Sequence, residues 1–266
     1  MNCNLRHIDG NHKLVQPYCF VIRGGIAGYS RLVTFLRAST NNWAETVLTH
    51  FRGAAEEYGL PSHVRCDFGL ENILVGRYIV QRRGINQNSI ITGRSVRNQR
   101  IERLWRDVNR LVISSFRNIF LYLESHLDVG NELHIYALHI VYLPRINNAL
   151  TEFLHGWNHH SISTEHNRSP RQLWFQGMMH GINQNYTTVE ELEQGDGNWD
   201  NIGVDEDGPV PEQGPGSILV VLRSTIELSP EQNEQLHPLL LSDEQDPHGN
   251  LSFNAVVNRI ATFVLN

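Results

Sequence analysis

The order of hydrophobic patterns along this chain predicts an α/β fold on a mixed five-stranded sheet: an antiparallel meander of three strands, then two parallel strands, flanked by helices. Two observations carry that reading. Three short β-rich runs open the chain with no helical pattern between them, and from Asn42 onward stretches of 3.6-residue periodicity alternate with short strands, the order of a layered α/β sheet.

Leu5 to Asp9 reads as the first strand, with Gly10 as a turn. Tyr18 to Ile22 is the second, and Gly24-Gly25 mark a turn or bulge. Arg31 to Leu36 is the third. Ser39, Thr40 or Asn41 then caps a helix from Asn42 to about Tyr58, with Trp43, Val47, Leu48 and Phe51 on one face, and Gly59 and Pro61 stop it. His63 to Asp67 is a strand ending in an acid. Glu71 to Arg83 is helical, closed by Gly84, and Ser89 to Thr92 is the fifth strand.

Thr92 to Phe116 reads as one amphipathic helix with Ser95 as N-cap. Ile101, Leu104, Trp105, Val108, Leu111, Val112 and Ser115 follow a helical repeat and are expected to face a core. Arg94, Arg97, Arg100, Arg103, Arg106 and Arg110, at steps of three and four, form a basic stripe around a single acid, Glu102. Leu121 to Leu127 extends or follows this helix, and Leu133 to Leu154 is a long apolar helix expected to be interrupted near Pro144.

The 266 residues suffice for one large or two modest domains. The longest apolar runs fall short of the roughly 18 residues a membrane span needs, and MNCNLRHIDG lacks the apolar core of a secretory signal. Cys3, Cys19 and Cys66 have no CxxC spacing, which argues for a reducing compartment and against a cysteine zinc site. The 14 histidines are scattered, and the adjacent pair His159-His160 has no partner at zinc-finger spacing.

The net charge of −6 divides into +7 for residues 1–171 and −13 for residues 172–266. Arginines dominate the basic part, and their planar fork suits phosphate. A shielded, arginine-rich surface is the plainer alternative. Residues 187–216 read as an acidic flexible linker between a 1–180 core and a small 217–266 α/β unit. In that unit Ile218 to Leu222 is a strand, Ser229 caps a helix and Ser252 starts another. So small a unit is expected to dock on the core or on a second copy.

The chemistry depends on where the acids fall. Asp9 ends the first strand, Asp67 ends the fourth and Glu102 lies on the helix after the fifth. If strands one and four are neighbours, the two aspartates stand side by side and the helix brings Glu102 over them. Three such carboxylates repel unless divalent cations bind, and oxygen-only ligands suit Mg²⁺ or Mn²⁺ rather than zinc. Each acid alone has a plainer reading: Asp9-Gly10 as a turn, Asp67 as an Asx-turn residue, Glu102 as an exposed ion pair with Arg106.

HIDGNHK, RCDFGLEN and TGRSVRNQRIERLWRDV together resemble the three catalytic blocks of the DDE integrase core, of the type found in eukaryotic transposon-derived proteins. Fifty-seven residues separate Asp9 from Asp67 and 34 separate Asp67 from Glu102, and the second gap is close to the D,D-35-E pattern of retroviral integrases and related transposases. The resemblance continues through LPRINNALTEFLHGWNHHSISTEHNRSPRQLW. CDFGLEN stands where relatives look more like SDKGGEN, so Phe68 replaces a basic residue and Leu70 a glycine.

The resemblance implies an RNase H-like fold and a transposase- or integrase-type enzyme, a polynucleotidyl transferase/endonuclease that nicks DNA and transfers strands. It implies Asp9, Asp67 and Glu102 as catalytic residues and as ligands of two Mg²⁺ or Mn²⁺ ions. DNA contacts are expected at Arg97, Asn98, Arg100, Arg103, Arg106 and Arg110. It also implies homo-oligomers, a nuclear place of action and an N-terminal DNA-binding or multimerising region, which is not visible in the eight residues before Asp9. Two other readings stand beside it: a domesticated, catalytically silent DNA- or protein-binding module, and a nuclease on RNA–DNA hybrids. Glu71 and Asn72 are expected at a solvated helix start, Trp105 in the core, and Trp157, Asn158, His159 and His160 in packing and loop-ordering roles.

Overall fold

The computed structural model describes residues 5–67, 69–84, 89–92, 99–183, 226–242 and 244–264. Strands β1 (Leu5–Asn11), β2 (Val21–Ala27), β3 (Val33–Ser39), β4 (His63–Cys66) and β5 (Ile90–Thr92) form one sheet in the order β3-β2-β1-β4-β5. β1, β2 and β3 pair antiparallel, and β4 joins β1 and β5 in parallel, as the pattern of strands and crossovers predicts.

Two expected turns lie inside strands instead. Gly10 belongs to β1, and Gly24 and Gly25 belong to β2, where the register shifts between Gly25 and Ile26. The bulge half of that expectation holds and the turn half does not. The reason is space. A Cβ at Gly24 would meet the Trp105 ring at 2.8 Å, and one at Gly25 would meet Phe35 at 2.4 Å. Gly24 makes room for a side chain from the next layer and Gly25 for its cross-strand neighbour on β3, rather than reversing the chain.

Helices α1 (Ala44–Tyr58) and α2 (Ile73–Arg83) are the crossovers to β4 and β5. They end at Gly59 and Gly84, both at positive φ. Val47, Phe51, Ala54, Val75 and Ile79 pack with Ile8, Phe35, Val64 and Cys66. A second, larger core takes the alternate strand residues Ile22 and Leu36 together with Ile101, Leu104, Trp105 and Val108 of α3 (Gln99–Val108).

Of the predicted Thr92–Phe116 helix, Thr92 instead ends β5, residues 93–98 with Ser95 lie outside the described residues, and α3 is described from Gln99. It then passes through a π turn (Asn109–Ile113) into α4 (Ser114–Leu123). The wide turn rotates the buried face. Ile113, Phe116 and Phe120 therefore join Val112 inside, whereas Leu111 and Ser115, expected in the core, are exposed.

Helix α5 (Glu132–His159) runs unbroken through Pro144, against the expected interruption. Leu138, Tyr142, Ile146 and Leu150, on both sides of the proline, are fully buried and hold the helix down. Along its length α5 closes the outer edge of β3. The Asn158 carboxamide accepts from Val33 N–H (2.8 Å) and donates to Val33 C=O (2.9 Å). Asn147 treats Ala38 the same way, at 2.9 and 3.2 Å. The Trp157 indole donates to Arg31 C=O (2.9 Å), so the expected packing role is realised at Trp157 and Asn158, while His159 and His160 are exposed.

Helix α6 (Pro170–Asn183) follows. Near the end, α7 (Pro230–Glu234) carries a capping box on Ser229, and α8 (Asn250–Val264) sets Phe253, Val256 and Ile260 into the same core as Tyr142 and Ile146. Each such fully buried side chain contributes about 1.5–3 kcal/mol. The Tyr142 hydroxyl donates to His248 C=O (2.8 Å), and Arg145 donates to the carbonyls of Asp246 (2.8 Å) and Leu241 (3.1 Å). The C-terminal segment thus docks on its own core. The expected linker and the Ile218–Leu222 strand lie outside the described residues. No helix among the described residues is long and apolar enough to cross a membrane.

Candidate active site

The parallel register of β1 on β4 pairs His7 with Arg65. Two residues further on stand Asp9, which lies inside β1 two residues before its end rather than closing the strand as expected, and Asp67, just past the end of β4. Their charges are mutually unfavourable. Burial, and next the Asp67 charge, push the Asp9 carboxyl up to about 6. Gly10 N–H donates to Asp9 Oδ1 (2.8 Å) and the Trp105 indole to Asp9 Oδ2 (3.0 Å), and both favour the ionised form.

Asp67 is oriented by the helix start that follows it. Asn72 Nδ2 donates to Asp67 Oδ1 at 2.8 Å, with Gly69 N–H at 3.4 Å. Asn72 is buried, and its Oδ1 has no hydrogen-bond partner. The expectation of a solvated helix start at Glu71 and Asn72 is therefore wrong. Glu71 reaches back to Arg23 of β2 at 2.8 Å, in an ion pair whose side chains are only 13% and 3% exposed. Arg23 also bonds Asn42. Its guanidinium lies over Gly10, where a Cβ would stand 2.8 Å from Nη1 and 2.9 Å from His12 Nε2. The Arg23 charge and hydrogen bond hold the Glu71 carboxyl below its usual range against its own burial.

Negative charge is concentrated at this end of the sheet. Burial, then the charges of Asp67, Glu71 and Asp9, push the Cys66 thiol up to about 12. That thiol is a buried spectator beneath the site rather than a nucleophile.

Glu102 lies in the first turn of α3, one turn before Trp105. It is half-buried, and burial raises its carboxyl. Among the described residues no three His, Cys, Asp or Glu side chains are grouped as a metal centre. Asp9 and Asp67 are near enough for their charges to interact, and Glu102 lies on the adjoining helix, whose Trp105 bonds Asp9. Of the expected DNA contacts, Arg103, Arg106 and Arg110 are exposed and Arg100 is half-buried, while Arg97 and Asn98 lie outside the described residues. Arg110 pairs with Asp107 at 3.3 Å.

Sequence reasoning missed Arg23, Glu71 and the polar role of Trp105. The available signal was a lone arginine inside the apolar run VIRGGI. An internal strand position keeps a charge only when a partner meets it.

A sheet of this order, with one aspartate on β1, a second just past the parallel neighbour β4, and an acid-bearing helix alongside, has the RNase H-like arrangement. The integrase core domain family model matches residues 2–188, and the chain belongs to that family. No curated protein matches it. Among solved structures it is similar to the catalytic core domain of HTLV-2 integrase in complex with magnesium, at 15% identity over 65% of this chain and 97% of that one (TM-score 0.43). It is similar to the catalytic core domain of BIV integrase at 16% identity over 68% and 99% (TM-score 0.45). A chain of the simian T-cell lymphotropic virus intasome with PP2A regulatory subunit B56 gamma matches at 14% identity over 82% and 60% (TM-score 0.46).

Proposed function

We propose that this protein is the core of a metal-dependent DNA integrase or transposase that nicks DNA and transfers strands. The observation that carries the reading is the partly buried Asp9–Asp67 pair, with the acid-bearing helix α3 tied to it through Trp105. The donor set fits hard divalent cations. Two carboxylates face one another with unfavourable charge, and the buried, unpartnered Asn72 Oδ1 adds an oxygen beside them. Asp9 and Asp67 would hold Mg²⁺ or Mn²⁺, two ions in all, with Glu102 completing the ligand set when they bind. Such ions, when bound, activate an attacking oxygen and stabilise the leaving oxygen of a phosphoryl displacement.

The chain's own groups orient and exclude. Trp105 and Gly10 fix the Asp9 carboxylate, Asn72 fixes Asp67, and the Arg23–Glu71 pair sets the Arg23 guanidinium over Gly10. Exposed Arg103 and Arg106 on α3 supply phosphate contacts, with Arg100, Arg110, Arg97 and Asn98 extending the track, so DNA binding weakens steeply with salt. Oligomers and a nuclear site of action belong to the same reading, as does an acidic 187–216 segment that competes with DNA for the arginines. Deleting residues 190–215 then raises DNA affinity at low salt; unchanged affinity dismisses that role.

The test is Mn²⁺-supported nicking of linear duplex DNA. Activity in the wild type that disappears in Asp67→Asn supports the proposal, and activity surviving in Asp67→Asn removes it. The silent binding module is the second reading, favoured by the lack, among the described residues, of three acids grouped as a metal centre. It gives salt-sensitive DNA binding with no cleavage at any metal concentration.

A further inference from the structure

The outer edge of β3 has a main-chain position beside a cavity whose lining includes none of Asp9, Asp67 and Glu102. β3 is an edge strand, and α5 covers it by pressing two asparagine carboxamides onto its main chain, at Val33 and at Ala38. Ala38 therefore points its N–H and C=O outward, away from β2. Main-chain direction alternates along an antiparallel strand, so Leu36, two residues earlier in the unbroken stretch of register, points its N–H and C=O the same way. No third asparagine of α5 stands there. Instead the structure has a cavity of about 380 Å³ between β3, α1 and α5, lined by Leu36, Phe35, Arg37, His50, Gly53 and Leu154 among others.

That volume is in the range of small-molecule pockets. Its chemistry is specific. Leu36 presents a donor and an acceptor side by side, the pattern that the Asn147 and Asn158 carboxamides satisfy on either side of it. On the facing wall, His50 Nε2 is buried with no hydrogen-bond partner. Arg37, held by Thr151 at 3.0 Å, forms the rim, and Phe35, Ala54 and Leu154 supply apolar walls.

We propose that this notch binds a small molecule bearing a carboxamide. The amide pairs with Leu36 N–H and C=O as the two asparagines pair with their own residues, a further hydrogen bond forms to His50 Nε2, and a compact apolar body fills the space beside Phe35 and Leu154. A carboxylate of the same shape is disfavoured, because it offers no donor to the Leu36 carbonyl.

The experiment is a titration of the ¹⁵N-labelled full chain with benzamide, following the Leu36 amide resonance, with benzoate as the matched acid. A saturable shift at Leu36 with benzamide, and at least tenfold weaker binding of benzoate, supports the site. Gly53→Phe provides a block, because a Cβ at Gly53 meets nothing within 4 Å and the added ring enters the cavity. It is expected to abolish the shift while the melting temperature stays that of a folded chain. An absent or non-saturating shift in the wild type overturns the proposal whatever the variant does. Equal binding of benzoate, or undiminished binding by folded Gly53→Phe, overturns it as well.

Discussion

The Trp105 indole N–H donates to Asp9 Oδ2 across 3.0 Å, so a core residue of α3 is also the hydrogen-bond donor that fixes the first aspartate. The contact needs Gly24, since the Trp105 ring occupies the place of a Cβ on β2. Trp105→Phe keeps most of the packing and deletes the donor. A loss of about 1 kcal/mol in stability is expected from the missing hydrogen bond, together with weaker Mn²⁺ binding as Asp9 becomes harder to ionise. Urea denaturation and a metal titration check the two effects separately.

Arg23→Met leaves the Glu71 carboxylate without its cation in a mostly buried setting. Breaking a buried pair by removing one partner costs about 3–5 kcal/mol, and the 13% exposure of Glu71 places the expected cost at the lower end. The double variant Arg23→Met/Glu71→Leu is expected to recover much of that loss. Equilibrium unfolding of the wild type, both single variants and the double closes the cycle.

Asn158→Ala strips the outer edge of β3 of both its bonds at Val33, in a buried position. An unsatisfied buried donor or acceptor costs about 1–3 kcal/mol. Faster amide exchange at Val33, with little change at Ile8 in the sheet centre, is the accompanying local signature.

His50, His63 and His139 are all held below the usual histidine range, chiefly by burial. With folded pKa values lower than the unfolded one, the unfolded chain binds more protons as the pH falls below about 6.5. Stability is therefore full above that pH and declines below it. Asp9, raised to about 6, works in the opposite sense: its protonated form favours the fold below the unfolded value near 3.8, and that benefit is lost as pH rises through 6. His12 is lowered by burial as well, so four histidines oppose Asp9 and the likewise raised Glu102, and net acid destabilisation is expected between pH 6.5 and 5, read as a falling melting temperature. His139→Gln, which keeps a donor for the Tyr18 carbonyl, is expected to flatten the slope.

Much of this architecture was legible in the residues. Alternation and crossover order gave the sheet and put Asp9 and Asp67 on neighbouring strands once β1 and β4 paired, although β1 runs two residues past Asp9. What escaped is tertiary. A Gly-Gly pair reads as a turn until a tryptophan from another layer is seen to need the room. The π turn at Asn109–Ile113 leaves no local mark, yet it decides that Leu111 faces solvent and Ile113 the core. The Arg23–Glu71 pair joins residues 48 positions apart, beyond the reach of any periodicity.

The most direct measurement is Mn²⁺ binding, followed by electron paramagnetic resonance, for the wild type and for Asp9→Asn, Asp67→Asn and Glu102→Gln. Saturable binding by the wild type, weakened at least tenfold in each variant, is the expected result and assigns all three acids to one cation site. Wild-type binding no tighter than that of the Asp9 and Asp67 variants contradicts the account.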